Sequence, residues 1–187
     1  MKKIVFMGDS ITAGFKLLSN YENIINMGVG GNKTTETIPL VKNLRLHQPD
    51  IVVLMIGIND FLCNVRYFDH GYTIPFYKTY DALIDLISVN LPRTNLYLVS
   101  MLPMNSRSEG QLTKENVLEY NKDIYFINKF IKHQAKAYKA TYLDLYSKFI
   151  VDGYLNPHYT IDGIHLSELG YETYLEFLKE NAKDIFI

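Results

Sequence analysis

The run Ile51-Val52-Val53-Leu54-Met55-Ile56-Gly57 constrains the fold more than any other stretch of the chain. It is continuous, β-branched and free of polar alternation, as in a parallel strand covered on both faces. Shorter runs of the same character recur at Ile4 to Met7, Asn23 to Val29, Asn95 to Met101 and Thr141 to Leu143. Helical spacing fills the intervals. Thr34 to Arg45 carries Ile38, Val41 and Leu44, with Pro39 in its first turns. A second helix places Tyr77, Tyr80, Ile84, Ile87 and Leu91 on one face and stops at Pro92. Thr113 is placed to cap a long helix striped by Val117, Tyr120, Ile124, Ile127 and Ile131, and a last helix runs from about Ser167 to Asn181. Phe15 to Leu18 reads as short helix or irregular chain, and Ile58 to Thr73, Leu102 to Leu112 and Asp152 to His165 read as loops. Strands alternating with helices, joined by right-handed crossovers, predict an α/β fold: a doubly wound parallel sheet in a three-layer α/β/α arrangement. No internal repeat, low-complexity tract or linker divides residues 1–187, so one domain is expected.

Composition narrows the function. The chain is 48% hydrophobic over 187 residues, enough for a sizeable core. Lys plus Arg number 19 against 20 Asp plus Glu, a balance without the basic excess of a nucleic-acid binder. No apolar stretch approaches a membrane span. The run after Lys2-Lys3 ends at Gly8-Asp9, too short for the apolar core of a signal peptide. A single cysteine, Cys63, rules out an internal disulfide, and the expectation is a cytoplasmic protein. His47, His70, His133 and His158 lack metal-ligand spacing, and neither metal nor cofactor is expected.

In a doubly wound sheet, the loops leaving the carboxyl ends of the strands share one edge, where ligands bind. Three of these loops begin with Gly8-Asp9-Ser10, Gly28-Val29-Gly30-Gly31-Asn32 and Gly57-Ile58-Asn59-Asp60, and Asp162-Gly163-Ile164-His165 lies beyond the fifth strand. Each has an ordinary explanation: Ser10 as a helix cap, the glycines as tight turns, Asn59-Asp60 and Asp162-Gly163 as turn pairs. Gathered on one edge, they supply the parts of acyl transfer. A serine hydroxyl needs a base, which His165 can provide while Asp162 orients the ring. The oxyanion needs donors already in place, for which the Ser10 N–H, a backbone N–H at Gly31 and the Asn59 amide are candidates.

These four blocks, in this order from Gly8 to His165, resemble those of the SGNH (GDSL-type) hydrolases. The resemblance implies a flavodoxin-like five-stranded parallel sheet of order 2-1-3-4-5 and a Ser10-His165-Asp162 triad. It also implies an oxyanion hole from Ser10, Gly31 (with Gly30 the adjacent alternative) and Asn59, and no cofactor. Asn32 stands where many family members carry Asp. The partner expected is a small-molecule ester, with Asp9, Gly30, Asp60, Phe61, Met104 and Tyr159 as substrate-contacting residues. Leu62, Tyr67, Phe68, Tyr72 and Tyr154 complete a mixed aromatic rim around an open cleft. A short-chain carboxylic ester, such as an acetylated carbohydrate, is the expected substrate. The alternatives are lysophospholipase or thioesterase-type hydrolysis, or a non-catalytic carbohydrate-binding module on the same fold. A flavodoxin-type nucleotide binder is disfavoured because Asp9 would set a carboxylate beside the phosphate. A phosphoacceptor receiver would need more acidic residues after the first strand.

Overall fold

The computed structural model describes residues 1–66, 74–107 and 112–186. The five apolar runs become β1 (Ile4–Gly8), β2 (Ile24–Gly28), β3 (Ile51–Met55), β4 (Asn95–Val99) and β5 (Thr141–Leu143). They pair in parallel in the order β2-β1-β3-β4-β5, with helices on both faces, which is the expected three-layer α/β/α arrangement. β1 and β3 are buried at every position, as their lack of alternation requires, whereas the edge strand β2 is only partly covered. Each fully buried aliphatic side chain contributes about 1.5–3 kcal/mol relative to exposure, so this central pair anchors the molecule.

The helices are α1 (Ser10–Ala13), α2 (Thr34–Thr37), α3 (Val41–His47), α4 (Ile58–Arg66), α5 (Ile74–Asn90), α6 (Lys114–Ala137), α7 (Leu145–Phe149) and α8 (Glu168–Asn181). The helix expected over 34–45, with Pro39 as its alternative start, is divided by a 3-10 segment, Ile38–Leu40. Pro39 explains the break, since it offers no N–H and its ring crowds the carbonyl one turn back. The loop expected from Ile58 begins instead as α4, because Ile58 and Phe61, one turn apart, are both buried. Burial of that face overrides the turn chemistry of Asn59-Asp60. After α7, Ile150–Val151 and Tyr154–Leu155 form a short antiparallel hairpin (β6, β7), its second strand inside the segment expected as loop from Asp152.

Two helix faces differ from their expected stripes. On α5, Tyr80, Ile84 and Ile87 are buried, as is Leu91 just past its end, but Tyr77 is exposed, and Phe76 and Leu83 take up the core side. On α6 the buried seam is Val117, Asn121, Ile124, Asn128, Ile131 and Ala135, so two amides sit where only apolar residues were expected. Both are satisfied. The Asn128 side chain accepts from Met101 N at 2.8 Å and donates to Met101 O at 2.9 Å. Asn121 accepts from Met104 N at 2.7 Å and donates to Met104 O and Gly153 O, each at 2.8 Å. Buried amides are tolerated when bonded this fully, and here they pin the chain leaving β4.

Candidate active site

The nucleophile candidate is set by a close approach that only glycine permits. A Cβ on Gly8 would lie 2.2 Å from Met55 O and 2.3 Å from Thr12 Oγ1, so the end of β1 packs directly on β3 and α1. Asp9 then caps α1, its Oδ1 accepting from Ile11 N at 3.0 Å. The cap is therefore Asp9 and not Ser10, which leaves the serine hydroxyl free of a capping role. Ser10 opens the helix half-buried, and its Oγ lies 2.9 Å from His165 Nε2.

His165 sits on a turn tied at several points. Thr160 pairs with Leu166, and Thr160 Oγ1 accepts from Gly163 N at 2.8 Å while donating to His165 O at 2.8 Å. Gly163 adopts φ 87°, and a Cβ there would meet Asn105 O at 2.4 Å, so the turn requires glycine twice over. Asp162 folds back within it. Its Oδ1 accepts from Ile164 N at 3.0 Å and His165 N at 2.8 Å, and its Oδ2 lies 2.8 Å from His165 Nδ1. Partial burial would raise the Asp162 carboxyl, but bonds from the His165 ring and the two backbone N–H groups outweigh it and hold the group at about 2. A carboxylate only accepts, so Nδ1 carries the ring proton, and in the neutral ring Nε2 is left to accept from Ser10 Oγ–H. The side chains of His165 and Asp162 remain 40% and 35% exposed, so a ligand reaches them from solvent.

The glycine loop and α4 complete the edge. Gly30 lies beside the serine, where a Cβ would be 3.9 Å from Ser10 Cβ, and Gly31 adopts φ 80°. Asn59, in the first turn of α4, donates through Nδ2 to Asn32 O at 3.0 Å, which orients the amide and leaves its second N–H available. Asp60 grips the same loop, accepting from Thr34 Oγ1 at 2.6 Å and from Thr34 N at 3.0 Å. Ser10, Gly30, Gly31, Asn59, Asp162 and His165 thus lie along one edge.

Several residues expected to contact substrate are buried or bonded to the scaffold. Asp9 is 1% exposed, and burial pushes its carboxyl up to about 7 against the opposing pull of the Ile11 N–H and of His165. Met104 is 1% exposed and clamped by Asn121; Phe61 is 8% exposed and edge-on to Tyr120. Burial likewise raises the Asp60 carboxyl, with the Thr34 bonds opposing it. Tyr159 is half-buried, tilted against Phe149 at 5.1 Å. Loops that follow strands are expected to form the rim, yet Met104 and Phe61 are buried beneath it. Tyr67, Phe68 and Tyr72 lie outside the described residues.

Sequence reasoning missed Thr34, Thr160 and Arg107. Arg107 Nη2 lies 2.7 Å from Asp162 Oδ2, and its Nε donates to the Asp162 carbonyl. Nothing in local sequence announces this, since 55 residues separate the partners. A groove of about 350 Å³ opens beside the turn, with Leu17, Ile161, Leu166 and Tyr171 on its walls and Lys16, Glu168 and Glu172 among its polar residues. Among the described residues, no group of three or more His, Cys, Asp or Glu side chains is arranged to hold a metal ion, and no helix is long and apolar enough to cross a membrane.

The model of the GDSL-like lipase/acylhydrolase family matches residues 6–173. Platelet-activating factor acetylhydrolase IB subunit alpha1 of Homo sapiens is 24% identical over 180 residues, covering 90% of this chain and 70% of that protein. A GDSL-like lipase of Bacteroides thetaiotaomicron shares the fold with a TM-score of 0.78 at 24% identity, over 99% of this chain and 89% of the other. A catalytic mutant of Axe2, an acetylxylan esterase from Geobacillus stearothermophilus, superposes with a TM-score of 0.71 at 18% identity, over 96% and 93% of the two chains.

Proposed function

The chain belongs to the GDSL-like lipase/acylhydrolase family and is an ester-hydrolysing enzyme; we propose that it cleaves short-chain carboxylic esters, acetyl esters above all, through Ser10, His165 and Asp162. The observation that carries this reading is the relay from Ser10 Oγ to His165 Nε2 at 2.9 Å and from His165 Nδ1 to Asp162 Oδ2 at 2.8 Å.

In the reaction, His165 Nε2 takes the Ser10 hydroxyl proton as Oγ attacks the ester carbonyl. Asp162 stabilises the imidazolium so formed without accepting its proton. The carbonyl oxygen becomes an oxyanion, received by the backbone N–H groups of Ser10 and Gly31 and by the second N–H of Asn59. Each such donor typically contributes about 10²–10³ in rate. Collapse of the tetrahedral adduct breaks the ester C–O bond, and His165 Nε2 returns its proton to the leaving alcohol. Water then attacks the acyl-Ser10 ester with His165 again as base, which releases the carboxylic acid and restores the serine hydroxyl.

A short acyl group is supported by the names of two relatives, an acetylhydrolase and an acetylxylan esterase, which point to acetyl removal. One observation favours a second reading, a lysophospholipase or thioesterase type of hydrolase: the apolar walls of the groove beside the turn could take a longer chain. Residues 1–187 act as one domain in this proposal, and the lone Cys63 suits a reducing, cytoplasmic setting.

Hydrolysis of p-nitrophenyl esters from C2 to C12 tests it, with Ser10→Ala as control. The expected result is a maximum at C2 to C4 that Ser10→Ala abolishes while far-UV circular dichroism is unchanged. Rates rising steadily to C12 would favour the second reading. Equal activity in wild type and Ser10→Ala would overturn both.

A further inference from the structure

Four donors converge on the Asp162 carboxylate: two backbone N–H groups of its own turn, the His165 ring and the Arg107 guanidinium. Oδ1 receives Ile164 N and His165 N at 3.0 and 2.8 Å. Oδ2 receives His165 Nδ1 at 2.8 Å and also Arg107 Nη2 at 2.7 Å. The same guanidinium donates from Nε to the backbone carbonyl of Asp162. One planar cation therefore holds Asp162 at both its carboxylate and its peptide, the latter immediately before Gly163 with its positive φ.

We propose that Arg107 is a positioning residue for the acyl-transfer reaction, holding Asp162 so that its Oδ2 meets His165 Nδ1. The proposal rests on the reading of Ser10, His165 and Asp162 given above. It adds that the base is aligned from outside its own turn, by the chain that leaves β4. That chain is itself fixed, since Asn121 clamps Met104, Asn105 N donates to Gly163 O at 2.8 Å, and Arg107 N donates to Leu112 O at 2.9 Å. The buried face of α6, the exit from β4 and the catalytic turn are linked in this way by consecutive hydrogen bonds.

Two effects of the guanidinium oppose one another. Its charge offsets part of the negative charge seen by Nδ1–H, which weakens the support Asp162 gives an imidazolium. Its two-point grip removes freedom from the carboxylate. The Arg107 side chain is 35% exposed, so solvent screens its charge, while the hydrogen-bonding geometry is not screened. An exposed ion pair ordinarily adds little to stability, so the effect falls on alignment rather than folding. Alignment is costly to lose, because a displacement of about 1 Å in a reacting group lowers rates on the order of 100-fold. Lysine would keep the charge but not the fork that spans carboxylate and carbonyl.

The test compares wild type with Arg107→Ala, Arg107→Gln and Arg107→Lys, using p-nitrophenyl acetate and the proton resonance of His165 Nδ1–H. Both Arg107→Ala and Arg107→Gln should lower kcat by about 10–100-fold with KM changed less than about 2-fold. Their melting curves should stay close to wild type. Arg107→Lys should recover little, and added guanidinium should restore part of the Arg107→Ala rate. The Nδ1–H resonance should move or broaden in Arg107→Ala and Arg107→Gln. Full activity in Arg107→Lys would overturn the fork in favour of charge alone. Wild-type kcat and an unmoved resonance in Arg107→Ala would overturn the proposal while leaving the acyl-transfer reading standing. If wild type itself failed to turn over any ester, that reading would fall, and an unmoved or shifted resonance would still decide whether Arg107 holds Asp162.

Discussion

Replacing Asp9 with Asn separates the part of that residue that builds the site from the part that opposes folding. Its Oδ1 caps α1 through Ile11 N, and Asn can accept the same bond. Its charge has no comparable benefit, since the side chain is 1% exposed and burial moves the carboxyl from 3.8 up to about 7. The native state therefore keeps a proton between pH 4 and 7 that the unfolded chain has released. Stability must fall as pH rises through that window and level off above 7. The gap converts to about 4 kcal/mol at most, at 1.36 kcal/mol for each pKa unit. The expected outcome is that Asp9→Asn matches wild type near pH 4 and becomes the more stable protein by several kcal/mol at pH 8. Asp60 and Asp162 are common to both proteins and largely cancel in the comparison. Urea unfolding at pH 4, 5, 6, 7 and 8 measures it by linear extrapolation. A stability difference that stays flat over this range, or that turns against Asn as pH rises, would refute the assignment of a burial penalty to Asp9.

Three other perturbations probe the scaffold and the site. Tyr80 is fully buried and its hydroxyl is the one buried side-chain polar atom without a hydrogen-bond partner among the described residues, so Tyr80→Phe should stabilise the protein by about 1 kcal/mol in urea; a loss of stability would mean that the hydroxyl has a partner. Asn121→Leu keeps the branched shape but strands Met104 N, Met104 O and Gly153 O, and should cost about 2–4 kcal/mol; a neutral result would show those groups finding water. Asn59→Ala should lower kcat about 10²–10³-fold with a near-native melting curve; wild-type kcat would remove Asn59 from the oxyanion hole.

What the sequence made legible follows from burial on both faces. Parallel strands such as Ile51–Met55 cannot alternate, so their uniform apolar runs and terminal glycines mark both the sheet and the edge where Ser10, Asn59, Asp162 and His165 collect. Local chemistry misleads where tertiary packing decides. Asn59-Asp60 has turn composition yet starts a helix, because Ile58 and Phe61 are drawn into the core. The serine of Gly8-Asp9-Ser10 is a preferred cap type, yet the neighbouring aspartate takes the cap. Met104 and Phe61 follow strands, which predicts the rim, yet both are buried, because depth beneath a loop has no sequence signature. The Asn121 and Asn128 amides do fall on the buried stripe of α6 at a seven-residue interval, a signal that helical periodicity could have carried.

The two halves of the site are held by different physics. Ser10 and the glycine loop stand on β1 and β2 where backbones meet at distances no side chain allows: a Cβ on Gly28 would lie 2.2 Å from Ala13 N, as tight as the Gly8 contact with Met55 O. Moving Ser10 means unpacking the buried strand β1, which links its opening to global unfolding. Asp162 and His165 stand on a turn that is one-third or more exposed at both side chains and fixed by hydrogen bonds to Thr160, Asn105 and Arg107. Hydrogen bonds near solvent open at far lower cost than a packed sheet. Hydrogen exchange should therefore find the amides of Ile164 and His165, which donate to Asp162 Oδ1, exchanging well before those of Val5 to Met7 in β1. Equal protection of the two sets would mean that the turn opens only with the whole molecule, and the distinction between a rigid nucleophile and a locally held base would fall.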